Sequence, residues 1–217
     1  EGGNEDYSGQ AFENFGYQAL VDECPVALRL VDLNQEESWQ ETTIFMIDGR
    51  EVPVRIPTLV LECPCTISVA VAKTHDVCVV TLAQKNMIMG TLHKKDRIKM
   101  HGYDSHSQRI LPAEAQQLNI NLMRVSHYLR PHIGVIDGTV GMQGNGPING
   151  YEMPSNVVIA SHHGIAADVG TDGLEEARVV IAQRADVQLH RPAFGGVEFA
   201  EMLHHVRAEL ALLGGRG

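Results

Sequence analysis

Three short apolar runs, Thr66 to Ala72, Ile133 to Ile136 and Val157 to Ala160, constrain the fold of this 217-residue chain more than any other feature. They are far shorter than the roughly 18 to 20 apolar residues that span a bilayer. They also lack a helical period, so each reads as a short buried strand. Helical patterning falls between them. Leu118, Leu122, Val125 and Leu129 put one apolar face on a helix from about Ala113 to Leu129, and Pro131 stops it. Alternation of strands and helices gives the expected fold class: α/β, with a mixed, mostly parallel sheet flanked by helices.

Elsewhere the pattern is local. Ala11 to Leu20 reads as a short helix and Val26 to Val31 as a further buried strand. Thr42 to Ile47 and Val52 to Ile56 flank Asp48-Gly49, a strong hairpin signal. The tail from Val197 to Leu213 has helical periodicity, with Gly214-Gly215 as its C-cap. No internal repeat breaks the chain. It divides into a single α/β domain over 1–168 and a helical C-terminal segment over 169–217.

Composition narrows the partners. The chain holds 17 Lys and Arg against 27 Asp and Glu, a net charge of −10, which disfavours a general nucleic-acid binder. With 44% apolar and 20% charged residues it is globular rather than wholly disordered. The acidity is local. Residues 1 to 62 hold 13 acidic and 3 basic groups, and the rest of the chain sums to zero. Residues 73 to 99 are locally basic through Lys73, Lys85, Lys94, Lys95, Arg97 and Lys99. An acidic protein with one basic segment reads either as a solvated surface or as an anion site. No apolar stretch is long enough for a membrane helix. Cys24, Cys63, Cys65 and Cys78 do not form a disulfide framework, so a reducing cytoplasm is the default location.

The chemistry concentrates where the apolar runs end. They run into Lys73-Thr74-His75, Asp137-Gly138-Thr139 and Ser161-His162-His163. In open α/β sheets ligands sit outside the carboxyl ends of strands, where loops at those ends form the site. Parallel neighbours would bring Lys73, His75, Asp137 and Ser161 to one rim. Lys is a point charge for an anion, His moves a proton near neutral pH, and Asp orients or accepts. Polar strand ends that simply meet solvent are the plainer alternative.

Gly138, Gly141, Gly144, Gly146 and Gly150 make the segment after Asp137 read as a glycine-rich loop, with Asn145 among them. Such a segment can turn backbone N–H groups toward an anion. It lacks the Gly-Lys-Ser/Thr of a Walker loop and the spacing of a dinucleotide fingerprint. Lys85 and Asn86 lie in an otherwise apolar stretch, and His101 follows Arg97. Among 11 histidines, His162-His163 and His204-His205 are adjacent pairs whose side chains diverge. No ferredoxin-type cysteine run and no paired zinc motif is present.

Ala72-Lys73-Thr74-His75-Asp76, Val80 through Asn86, Met100-His101-Gly102 and Pro131 through Gly150 together resemble the family called domain of unknown function 362. Ser161-His162-His163-Gly164-Ile165-Ala166-Ala167-Asp168 is similar to the family's Ser-Arg-Asp-Pro-Val-Ala-x-Asp stretch, matching at Ser161, Ala166 and Asp168, with His163 where the family has Asp. The resemblance covers roughly residues 1 to 168. It implies a further N-terminal segment with the sheet's first strand, so the chain from Glu1 reads as truncated. It also implies iron–sulfur associations, since some members carry ferredoxin-like domains. A cluster would then sit on a ferredoxin-like partner or on a missing domain.

Three functional expectations follow. In the first, a small anion is held by Lys73, Thr74, Lys85, Asn86 and Ser161, with Gly141, Gly144, Asn145 and Gly146 as backbone donors. His75 or His101 moves a proton and Asp137 orients the base, as in an enzyme of anaerobic or redox metabolism. The second is an accessory subunit of an iron–sulfur redox system. The third is a metal-dependent enzyme with His and Asp ligands. Oligomeric state is not legible.

Overall fold

A computed structural model describes residues 1–3, 8–108, 110–169 and 179–183. Short 3-10 turns aside, the elements in order are α1 (Gly9–Asn14), α2 (Tyr17–Glu23), β1 (Trp39–Phe45), β2 (Glu51–Pro57), α3 (Thr58–Leu61), β3 (Ile67–His75), β4 (Val79–Thr81), α4 (Ala83–Thr91), α5 (Arg97–Met100), α6 (Leu111–Ser126), β5 (Ile133–Asn145), β6 (Asn149–Ser161), α7 (Gly164–Val169) and β7 (Val179–Gln183). They form two compact units, Glu1–Thr66 with Lys85–Arg130, and Ile67–Gln84 with Pro131–Gly217. Among the described residues no helix is long and apolar enough to cross a membrane.

The first unit is organised by the Asp48-Gly49 turn. Gly49 takes φ +84, a conformation open to glycine at little cost, and β1 and β2 pair antiparallel from Trp39 opposite Pro57 to Phe45 opposite Glu51. Ile44, Val54 and Ile56 face inward and are fully buried, as are Met100, Leu118, Val125 and Leu129. α6 thus buries much of the face its periodicity predicts, although the helix ends at Ser126 and Leu129 packs beyond it. Asn121 sits on that same face, fully buried. Its amide accepts from the Phe45 N–H at 2.9 Å and donates to the Phe45 carbonyl at 2.8 Å, completing the edge of β1 as a strand neighbour would.

Asp96, also buried, fastens β2 to α5. It accepts from Arg55 Nε at 2.7 Å, from the Arg55 backbone N–H at 3.1 Å and from Lys99 Nζ at 2.7 Å. Burial alone would push its carboxyl up, but the bonds from Arg55 and Lys99 outweigh burial and leave it below the usual carboxylate range.

The second unit carries a five-stranded sheet in the order β4-β3-β5-β6-β7. This sheet is mixed rather than mostly parallel: β3 and β5 are its one parallel pair among the described residues. The reason lies in the glycine-rich segment, read from sequence as a loop. It forms the distal halves of β5 and β6, which pair from Gly134 opposite Ser161 out to Asn145 opposite Asn149. A tight turn rather than a crossover helix joins them, so β6 must run antiparallel. Ala83, Ile136 and Ala167 form the core on one sheet face, packed by Ala72, Leu82 and Ile159. A side chain at Gly134 would stand 3.0 Å from the Ala167 Cβ and 3.1 Å from the Ala83 Cβ, so glycine here lets α7 and the start of α4 pack closely on the sheet.

Other expectations differ in detail. The expected helix over Ala11 to Leu20 is two helices broken at Gly16, which has φ +72. Val26 to Val31 is irregular, and Val26 is 70% exposed. It has β-forming side chains but no neighbouring strand to pair with among the described residues. The segment read as helical over 169–217 contributes β7, while the helix expected over Val197 to Leu213 lies outside the described residues.

Replacing Asp96 by Ala leaves Arg55 and Lys99 without their carboxylate and is expected to cost about 3 kcal/mol. The single tryptophan, Trp39, packs edge-on against His93 at 4.8 Å and reports this unit in urea unfolding by fluorescence. Because the Asp96 carboxyl is held low, its contribution is present above the ordinary carboxylate pKa and fades as pH falls through the lowered one. The wild type and Asp96→Ala should therefore converge in stability on acidification.

Candidate functional site

β5 carries glycine where it runs closest to its neighbours. A Cβ at Gly138 would lie 3.0 Å from the Val157 carbonyl oxygen, and one at Gly141 would lie 2.8 Å from the Ala72 carbonyl oxygen. Both approaches coincide with breaks in register. Val71 opposes Asp137 whereas Lys73 opposes Met142, and the β5–β6 ladder slips between Gly138 and Val140. The bulged stretch of β5, with glycine at 138 and 141, borders an open cleft of about 270 Å³ in the second unit. Val80, Leu82, Met142 and Met153 give it apolar walls, and Lys73, Thr74, Gln143 and Ser155 supply polar groups.

Beside the cleft, the tip of the β5–β6 hairpin is tied back to β3 and the residue after it. Thr74 Oγ1 donates to the Gly144 carbonyl at 2.9 Å, and the Asp76 N–H donates to the Gly146 carbonyl at 3.0 Å. Gly146 itself lies so close to the Thr74 carbonyl that any side chain there would collide with it. Gly144 takes φ +90. These glycines therefore shape the hairpin, and Gly144 and Gly146 offer their carbonyls to β3. Asn145 sits exposed at the tip.

Lys73 is the group that stands out. Its side chain is half-buried in the cleft and makes no hydrogen bond or ion pair to another described residue. His75, two residues on, has a different role. The N–H groups of Val77 and Cys78 converge on its Nδ1 at 3.1 and 3.4 Å. Accepting them requires a lone pair there, which puts the neutral ring's proton on Nε2. The Asp76 carboxylate, 3.0 Å from the same nitrogen, is the partner only if Nδ1 gains a proton. His75 thus organises the turn between β3 and β4 and is not among the residues lining the cleft.

The remaining candidates are dispersed. Asp137 precedes Gly138 on β5 and by strand alternation points to the opposite face, where its Oδ1 accepts from the Thr139 N–H at 2.8 Å. Ser161 pairs with Gly134, opposite Ser68, at the far end of the sheet from Lys73. Because β6 runs antiparallel, its carboxyl end meets the amino ends of β3 and β5 and the expected common rim does not form. Ser161 is buried and accepts from the His163 N–H at 3.1 Å. Lys85 and Asn86 on α4 and His101 after α5 belong to the first unit, where His101 Nδ1 lies 2.5 Å from Glu114 Oε1. Among the described residues no three His, Cys, Asp or Glu side chains gather as metal ligands would.

One carboxylate outside the expected site residues is committed to the fold. Asp168 on α7 accepts from the Ala83 and Gln84 N–H groups at 2.7 and 3.0 Å, capping α4 from a remote part of the chain. Capping residues are legible when they precede their helix; this one lies 85 positions after the Ala83 N–H that it caps. Burial pushes its carboxyl up to about 6 against the pull of the two amide donors.

A family model described as Domain of unknown function (DUF362) matches residues 2–171. No curated protein and no solved structure matches the chain.

Two substitutions test this geometry. Gly141→Ala drives a methyl group against the Ala72 carbonyl and is expected to destabilise the second unit by roughly 1–3 kcal/mol, read as lost far-ultraviolet dichroism in urea. Asp168 has a folded pKa above its ordinary value, so its contribution is fully present near pH 4 and is lost as pH rises through about 6. Asp168→Asn removes that titration. Between pH 4 and pH 7.5 the variant should gain on the wild type by about 2 kcal/mol, and a constant difference would show that Asp168 does not titrate there.

Proposed function

Since the chain belongs to the family described as Domain of unknown function (DUF362), which names no reaction, we propose a function on the strength of the cleft itself: it binds a small organic monoanion. The observation that carries this reading is Lys73, a half-buried ammonium with no acidic partner among the described residues. A cation drawn partly out of water is favoured when an anion joins it.

The walls define the anion further. One cation matches a single negative charge, whereas nucleotides and polyphosphates call for several cations or a phosphate-binding loop. Val80, Leu82, Met142 and Met153 suit a short hydrocarbon body, and about 270 Å³ is room for a small organic acid of up to roughly ten heavy atoms. The Ser155 hydroxyl and the Gln143 amide, neither engaged by another described residue, offer hydrogen bonds to the anion's oxygens. A short-chain carboxylate fits all of these features. Lys73 fixes the carboxylate, the methionines cover the chain, and the absence of side chains at Gly138 and Gly141 leaves the room. His75 and Asp137 lie outside the lining, so the cleft's residues account for binding and orientation.

Calorimetric titration of the intact chain with acetate, butyrate, inorganic phosphate and a nucleoside triphosphate tests the proposal. Butyrate should bind more tightly than acetate, and the triphosphate should gain nothing from its extra charge. Lys73→Ala should weaken butyrate binding at least tenfold, a loss of about 1.4 kcal/mol, and Lys73→Arg should retain part of it. Butyrate binding unchanged in Lys73→Ala, or absent from the wild type, would refute it.

A further inference from the structure

Cys63 and Cys65 flank Pro64 in the irregular segment between α3 and β3, in the first compact unit and apart from the cleft's lining. Both are free thiols. Cys63 is exposed and Cys65 half-buried. The Cys63 Sγ folds back and donates to the carbonyl oxygen of Cys65 at 3.1 Å, so its sulfur already rests on the residue that carries the second thiol. Residues two apart in a bent segment bring their Cα atoms within the roughly 4.4–6.8 Å that a disulfide needs. We propose that Cys63 and Cys65 form a redox-active dithiol that exchanges with a low-molecular-weight disulfide.

The exchange balances within that pair of reactants. The exposed Cys63, as thiolate, attacks one sulfur of the external disulfide, forming a mixed disulfide and releasing one thiolate, which takes up a proton. Cys65, as thiolate, then attacks the Cys63 sulfur. The Cys63–Cys65 bond forms, the mixed disulfide breaks, and the second small thiol leaves. Two electrons and two protons pass from the protein to the small disulfide. A ring closed across one residue removes little chain entropy, so this bond is a poor structural staple and an easily reduced, exchanging one. Exposure of the first thiol and partial burial of the second give the order of attack. Among the described residues no three His, Cys, Asp or Glu side chains, these two thiols included, are placed to hold a metal ion together.

Trypsin cleavage after Arg55 and Lys73 yields a peptide, residues 56–73, that contains Cys63 and Cys65 and no other cysteine. The full chain is equilibrated in glutathione buffers of graded composition, alkylated and digested. In oxidising buffer the wild-type peptide should resist alkylation and be lighter than the reduced peptide by two hydrogens, and in reducing buffer it should be alkylated twice. Cys65→Ser should trap glutathione on Cys63. A wild-type peptide alkylated twice in every buffer would overturn the proposal. So would oxidation found only as glutathione adducts, or as links to Cys24, Cys78 or a second chain.

Discussion

Close approach of two backbones sets the architecture around the cleft. Where β5 passes β3 it presents Gly141 to the Ala72 carbonyl, and where it passes β6 it presents Gly138 to that of Val157. Side chains at either position would hold the strands apart. Their absence permits the bulge that changes register, and the bulge leaves space beside Lys73 and Met142. The hairpin tip then returns to β3 through Thr74, Gly144 and Gly146. The glycine-rich segment is therefore the scaffold of the site, and the site's chemistry belongs to the side chains it leaves uncovered.

Charge follows a contrast that makes Lys73 informative. In the first unit the buried charges are paired: Asp96 takes Arg55 and Lys99, and Glu114 takes His101. Arg97 donates to the Gly3 and Leu92 carbonyls. In the second unit the Asp168 carboxyl is committed to the start of α4 and Asp137 to the Thr139 N–H. Lys73 has no such commitment to a described residue. A half-buried ammonium spared from internal pairing is matched to an external anion better than to fold stability.

Much of the framework was legible in the sequence because it depends on local chemistry. Asp48-Gly49 dictates a hairpin turn whatever surrounds it, and the apolar spacing of Leu118, Val125 and Leu129 persists in the packed helix region. β3 and Lys73 at its end were legible for the same reason. Strand direction was not. Glycine is a poor strand former, so the stretch from Gly138 to Gly150 reads as a loop, and only pairing between its two halves makes it a hairpin. That error propagates: with β6 reversed, Ser161 moves to the opposite end of the sheet from Lys73. His75 has the chemistry of a proton carrier, yet two backbone N–H groups converge on its Nδ1. Asp168 caps a helix far earlier in the chain, a relation that no local spacing encodes.

The central claim is that an organic monoanion settles beside Lys73 between the methionine walls. Two of the chain's eight methionines, Met142 and Met153, line the cleft, so methyl resonances of methionine-labelled protein report occupancy directly. Titration with butyrate should shift the Met142 and Met153 methyl signals, saturably and together, while those of the buried Met46 and Met100 stay in place. Methyl signals of Met142 and Met153 that remain fixed throughout, or that move no more than those of Met46 and Met100, would contradict it.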